Sequence, residues 1–147
     1  MHDPGAEDLR LPQASVEELR AAVESAQANP ASLQQHAKAV REVVFRLDRG
    51  ILRVAEKGPQ GYAIHGWIQG AINLFFSLMQ SERYDCGDLQ FFDKVPPKRE
   101  LGEFRVVPPG VVRYGAHVEK GAVVMPGYVN IGARVGTGTM VDTWATV

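Results

Sequence analysis

A single cysteine, Cys86, stands in a chain of 147 residues, so no intrachain disulfide can form. That usage suits a reducing cytoplasm, the expected location. Cys86 lies in the acidic stretch Tyr84-Asp85-Cys86-Gly87-Asp88, where neighbouring carboxylates disfavour the thiolate, and it reads as an incidental thiol. Excess charge is also missing. Sixteen Lys and Arg against 17 Asp and Glu leave a net charge of -1, which gives no general reason to bind nucleic acid or an anionic membrane. The most apolar stretch, residues 71–79, is far short of the ~20 residues a membrane span needs. The N-terminal MHDPGAEDLRLPQ has no basic segment leading into an apolar core and is not expected to act as a signal peptide. A zinc centre lacks its ligands: His117 is the only histidine of the C-terminal third, with His2, His36 and His65 elsewhere, and it reads as a packed or partly exposed side chain. Gly132, Gly136 and Gly138 follow neither dinucleotide nor P-loop spacing. No metal and no permanently bound cofactor are expected.

Residues 1–14, with Pro4, Gly5, Pro12 and no apolar period, are expected to be disordered. Ser15-Val16-Glu17-Glu18 is a capping-box signature. It opens a helix whose apolar set is Val16, Leu19, Ala22, Val23 and Ala26 and which stops at Asn29-Pro30. A second helix is expected from about Ser32 to Arg49, with Gly50 past its end where a positive φ is cheapest. Residues 51–57 read as a strand, 58–61 as a turn and 62–64 as the return strand. Helical spacing resumes from Trp67 to about Gln80. A polar loop over 81–90, a short strand at 91–95 and a charged linker to Phe104 complete residues 15–104, a helical N-terminal domain with a short hairpin.

From Arg105 a different period takes over. Six of the seven residues at 111, 117, 123, 129, 135, 141 and 147 are valine, His117 being the exception. Two residues before each of them the side chain is small: Pro109, Gly115, Gly121, Gly127, Ala133, Thr139 and Ala145. A period of six fits neither helix nor plain strand. It fits a chain that turns a corner every six residues, the pattern of hexapeptide-repeat β-helices, whose coils must stack to bury their apolar faces. A second column, Val112, Val118 and Val124, ends at Asn130, so a shift of the inward register is expected near residues 129–132. The fold class is therefore α+β, helices followed by the first coils of a parallel β-helix over 105–147. That architecture is used mostly by acyltransferases. The repeat still runs at Val147, which leads to the expectation of an N-terminal piece of a longer protein. Alone, the 147 residues are expected to have negligible transferase activity.

Longer motifs are more specific. They are Leu52-Arg53-Val54-Ala55-Glu56-Lys57, Phe92-Asp93-Lys94-Val95-Pro96, Phe104-Arg105-Val106-Val107-Pro108-Pro109, residues 125–132 and Met140-Val141-Asp142-Thr143-Trp144-Ala145-Thr146-Val147. In this order the chain resembles the tetrahydrodipicolinate N-succinyltransferase family over residues 33–147. The resemblance implies a left-handed β-helix and a homotrimer with active sites between subunits. It also implies transfer of a succinyl group from succinyl-CoA, a co-substrate, to the amino group of acyclic tetrahydrodipicolinate on the route to diaminopimelate and lysine. It further implies that Arg105 and Asp142 bind substrate and that Asp142 acts in catalysis; it assigns no CoA-binding residue here. The chemistry agrees. Arginine's planar fork suits a carboxylate. A carboxylate beside the amine can orient it and relay its proton, or hold the ammonium while another group deprotonates it. Trp144 is a stacking or packing residue, and Lys94 and Arg113 are candidate cations for carboxylates or CoA phosphates. Two alternatives stand beside this reading: a non-catalytic assembly piece, and another hexapeptide-repeat acyltransferase.

Overall fold

A computed structural model describes residues 14–147. The disorder expected over 1–14 falls outside the described residues except at Ala14. Ala14 packs on the helical core, and its carbonyl accepts from an Arg46 guanidinium nitrogen at 2.7 Å.

Helix α1 (Val16–Ala28) starts with the capping box read from the sequence. The Glu18 amide donates to Ser15 Oγ at 3.1 Å and the Ser15 amide to Glu18 Oε2 at 2.7 Å. A 3₁₀ segment, Pro30–His36, comes before helix α2 (Ala37–Asp48). The second helix thus begins tighter than expected, because the Ser32 hydroxyl and amide both bond back to Asn29 O. Gly50 takes the positive φ of 72° expected after α2. The strand anticipated from Ile51 forms only as β1 (Ala55–Gly58). The Ile51 and Leu52 amides are occupied by Arg46 O at the end of α2. β1 pairs antiparallel with β2 (Gly61–Ile64), and helix α3 (Gly66–Leu78) follows.

The polar loop expected over 81–90 is instead a hairpin of β3 (Glu82–Cys86) and β4 (Leu89–Asp93), turned at Gly87 with φ 70°. Its exposed polar residues hid the alternation; only Tyr84 of β3 is buried. Leu19, Val23, Val40, Val43, Val44, Ile68 and Phe75 form the helical core, each fully removed from water at roughly 1.5–3 kcal/mol of hydrophobic stabilisation.

Residues 105–141 contribute seven two-residue strands: β5 (Arg105–Val106), β6 (Val111–Val112), β7 (His117–Val118), β8 (Val123–Val124), β9 (Tyr128–Val129), β10 (Arg134–Val135) and β11 (Met140–Val141). All pair in parallel, in three sheets ordered β5-β8-β11, β6-β9 and β7-β10. The chain therefore winds past three faces in turn.

The valine column needs one correction. Over the first four corners the inward residues are Val106, Val112, Val118 and Val124, while Val111, His117 and Val123 face outward and are half-buried. From Val129 the inward set becomes Val129, Val135 and Val141. The step from Val124 to Val129 is five residues rather than six, so the coil drops from the eighteen-residue register of Arg105↔Val123 to the seventeen of Val111↔Tyr128. The expected shift near 129 is this shortened corner. A Cβ on Gly127 would lie 2.8 Å from Ala145 O and 3.3 Å from Asp142 O, so the tight corner requires glycine where the next coil rests on it.

The helices dock on one corner of the coil. A Cβ on Gly115 would lie 2.7 Å from Ile131 and 3.0 Å from Val44, and one on Gly132 would lie 2.7 Å from Ile72. A polar cluster secures this junction. Lys98 Nζ donates to Asp48 Oδ1 at 2.6 Å, Asp48 O at 3.2 Å and Ala116 O at 3.1 Å, and the Gly115 amide donates to Asp48 Oδ1 at 2.9 Å. Arg134 donates to Gly50 O at 3.1 Å. Cations thus meet the carbonyl end of α2, where its dipole favours them. Among the described residues no helix is long and apolar enough to cross a membrane.

Candidate active site

The sheet β5-β8-β11 carries both residues singled out by the resemblance. Its register aligns Arg105, Val123 and Met140 in one row. Side chains alternate along a strand, so with Val106, Val124 and Val141 pointing inward, Arg105, Val123 and Met140 point out. The next outward row is Val107, Met125 and Asp142; the Val107 amide donates a hydrogen bond to Val124 O and the Met125 amide donates one to Val141 O. The result is a face with an apolar middle of Val107, Val123, Met125 and Met140, bearing Arg105 at one corner and Asp142 at the diagonal one. Strand spacing and rise put their Cα atoms roughly 12 Å apart. The two side chains form no ion pair with each other, and a small ligand can lie between them. The apolar floor was missed from sequence. Its signal is the recurrence of Val123 and Met140 in register with Arg105, visible only once the short corner is known.

Both charged groups are available. Arg105 is exposed and has no side-chain partner among the described residues. Asp142 is exposed, and its Oδ1 accepts the Thr143 amide at 2.8 Å, which fixes the carboxylate and leaves Oδ2 open. The turn closes with the Ala145 amide on Asp142 O at 3.0 Å. Trp144 at its third position has φ 61° and is the non-glycine residue with positive φ among those described. That conformation costs an L-residue about 1–2 kcal/mol. The indole remains 79% exposed.

The two candidate cations are engaged in internal bonds. Lys94 Nζ donates to Phe76 O, near the end of α3, at 2.9 Å. Arg113 pairs with Asp93, donates to Asn130 Oδ1 at 3.0 Å and lies over the Phe76 and Tyr128 rings. Burial pushes the Asp93 carboxyl upward, but the Arg113 guanidinium and the Lys94 amide outweigh it and hold its pKa below the ordinary value. These two residues tie the β3–β4 hairpin and α3 to the coil.

His117 is half-buried, with Nδ1 3.1 Å from Asp48 O, so a hydrogen bond there requires the proton on Nδ1. Cys86 is free and exposed. No group of three or more His, Cys, Asp or Glu able to hold a metal occurs among the described residues. A cavity of about 320 Å³ lies between α1 and the start of α3, lined by Arg20, Glu24, Gln27 and Ile64–Trp67; no residue selected from the sequence reaches it.

Glu119, on the β7-β10 face, receives the Thr137 hydroxyl and Arg134. The Thr137 hydroxyl first, and then Arg134, lowers its pKa from 4.5 to about 2. A depressed carboxyl stabilises the fold above its unfolded pKa, and that contribution is lost as pH falls through the folded value. Asp93 acts in the same direction. Urea unfolding at pH 4.5 and pH 2 should therefore show a smaller loss of midpoint for Glu119→Gln than for the wild type. Equal losses would contradict the assignment.

Comparison with known proteins shows what the chain is similar to. Residues 16–78 match the family model described as tetrahydrodipicolinate N-succinyltransferase N-terminal. The chain is 50% identical over 119 residues to the 2,3,4,5-tetrahydropyridine-2,6-dicarboxylate N-succinyltransferase of Idiomarina loihiensis, covering 75% of this chain and 43% of that protein. It is 46% identical over 127 residues to that of Acinetobacter baylyi, covering 80% and 45%. It is 43% identical over 145 residues to that of Dechloromonas aromatica, covering 92% and 52%. The chain spans about half the length of the curated relatives it matches. Its relatives are acyltransferases. More narrowly, residues 16–78 match the N-terminal part of the tetrahydrodipicolinate N-succinyltransferases, and 75–92% of the chain is similar to about half the length of such enzymes.

Proposed function

We propose that this chain forms the amine-acceptor side of a CoA-dependent N-succinyltransferase acting on acyclic tetrahydrodipicolinate in diaminopimelate and lysine synthesis. The observation that carries the reading is the open apolar face with an unpaired arginine and an unpaired aspartate at opposite corners. The acceptor has a carboxylate at each end and an amine beside one of them. Arg105 takes a carboxylate through two parallel hydrogen bonds. Asp142 accepts from the amine through its free Oδ2, and its Oδ1 stays anchored on the Thr143 amide.

With succinyl-CoA bound as co-substrate, the amine lone pair attacks the thioester carbon. The C–N bond forms, the C–S bond breaks, and CoA leaves as a thiol carrying the proton lost by the amine. Asp142 orients the nucleophile and receives or relays that proton. No covalent enzyme intermediate is needed when both substrates are bound together. The coil is read as left-handed and the enzyme as a cytoplasmic homotrimer with sites between subunits. The hexad period, the parallel three-faced winding and the family relationship support these points.

The reading is tested by a substrate panel on the native polypeptide, following release of CoA thiol. Succinyl-CoA with tetrahydrodipicolinate should react. Turnover of sugar nucleotides instead, or no acyl transfer at all, would overturn it in favour of another hexapeptide-repeat transferase or a non-catalytic assembly role.

A further inference from the structure

Trp144 is not used by the mechanism above, yet it occupies a costly position. The coil makes the same four-residue turn five times: Arg113–Ala116, Glu119–Ala122, Asn130–Ala133, Gly136–Thr139 and Asp142–Ala145. Each is closed by the fourth amide on the first carbonyl, at 3.0–3.3 Å. In four of them the third residue is glycine: Gly115, Gly121, Gly132 and Gly138, with φ between 65° and 85°. That position needs φ > 0, which is why glycine recurs. In the fifth turn it is Trp144, with φ 61°. A bulky residue in the left-handed region is an outlier that persists where the surroundings hold it there, often at a functional site.

Packing among the described residues does not explain the choice. The indole is 79% exposed, so the described part of the chain gains little by burying it. The backbone beneath it, by contrast, is well fixed. The Trp144 amide donates to Pro126 O at 2.6 Å, Gly127 makes room for the turn's carbonyls, and Asp142 Oδ1 holds the Thr143 amide. One rigid turn therefore presents a carboxylate and a large flat apolar surface two residues apart.

We propose that Trp144 is an acceptor-binding, specificity-determining residue: its indole forms a wall along the carbon skeleton of the amine substrate while Asp142 holds the amine. This rests on the transferase reading and deepens it. The wall favours an acceptor whose amine is followed by several carbons over a short amino acid, because only the longer chain covers the indole face.

Trp144→Gly is the discriminating variant, since it installs the residue the other four turns use. In the native polypeptide it should keep or raise Tm, leave the oligomeric state and the KM for succinyl-CoA within about twofold, and raise the acceptor KM by about tenfold or more. Trp144→Phe should retain most acceptor affinity. An acceptor KM within twofold of wild type in Trp144→Gly would overturn the proposal. So would loss of the oligomer with parallel loss of both substrates, which would make Trp144 a subunit contact. Failure of the underlying reading looks different: the wild type itself would not turn over tetrahydrodipicolinate, or Asp142→Asn would be as active as wild type.

Discussion

Replacing Lys98 with methionine is expected to destabilise the protein by about 3–5 kcal/mol. Lys98 and Asp48 are 6% and 10% exposed, and their contact is 2.6 Å. Methionine keeps the length of the stem but removes three hydrogen bonds, those to Asp48 Oδ1, Asp48 O and Ala116 O. It leaves a buried carboxylate whose remaining side-chain partner is the Gly115 amide. An uncompensated buried charge costs far more than an absent pair. The double variant Lys98→Met, Asp48→Asn should therefore recover part of the loss, a coupling that a double-mutant cycle reads directly. Against a typical total of about 5–15 kcal/mol, the single change should lower Tm by about 10 °C. A Tm within about 2 °C of wild type would mean that the pair does not hold α2 to the coil.

The second large effect concerns chemistry. Asp142→Asn should lower kcat in the native polypeptide by about 10²-fold or more. The amide keeps the Asx contact, since its oxygen can still accept from the Thr143 amide, so the turn should survive and Tm should change little. What is lost is the negative charge that orients the amine and takes its proton. Arg105→Ala should act on binding instead. Removing a charge-assisted bidentate contact, worth about 1.5–3 kcal/mol, should raise the acceptor KM by roughly 10- to 150-fold, leaving succinyl-CoA affinity nearly unchanged. Arg105 is exposed with no side-chain partner among the described residues, and asparagine at 142 can keep the Thr143 amide, which separates these effects from misfolding.

Some of this was legible in residues and some was not. The capping box, the positive φ of Gly50 just past α2 and a corner about every six residues all follow from local rules, and each appears where the residues put it. The valine column was read one residue out of register before Val129, because Val111-Val112 and Val123-Val124 offer two valines at each corner and a period of six fits either. The five-residue step at Met125-Pro126-Gly127 changes which one points inward, and a Cβ at Gly127 would collide with Ala145 O and Asp142 O of the next coil. Of the β3–β4 hairpin, β4 overlaps the strand expected at 91–95, while β3 gives no signal because it lies on the surface and lacks an apolar alternation. At the site, Arg105 and Asp142 came from motif resemblance. Their common sheet came from the register, and the left-handed backbone of Trp144 from the structure alone, since a tryptophan gives no local signal for positive φ.

Binding of the amine acceptor on the β5-β8-β11 face is the central requirement of the proposed chemistry. Steady-state kinetics of the native polypeptide with tetrahydrodipicolinate and succinyl-CoA, on wild type and Arg105→Lys, test this most directly. Lysine keeps the positive charge but loses the planar fork. The predicted result is an acceptor KM raised by about tenfold or more, with the succinyl-CoA KM and Tm unchanged. Wild-type values for both substrates would contradict the assignment of this face as the acceptor site.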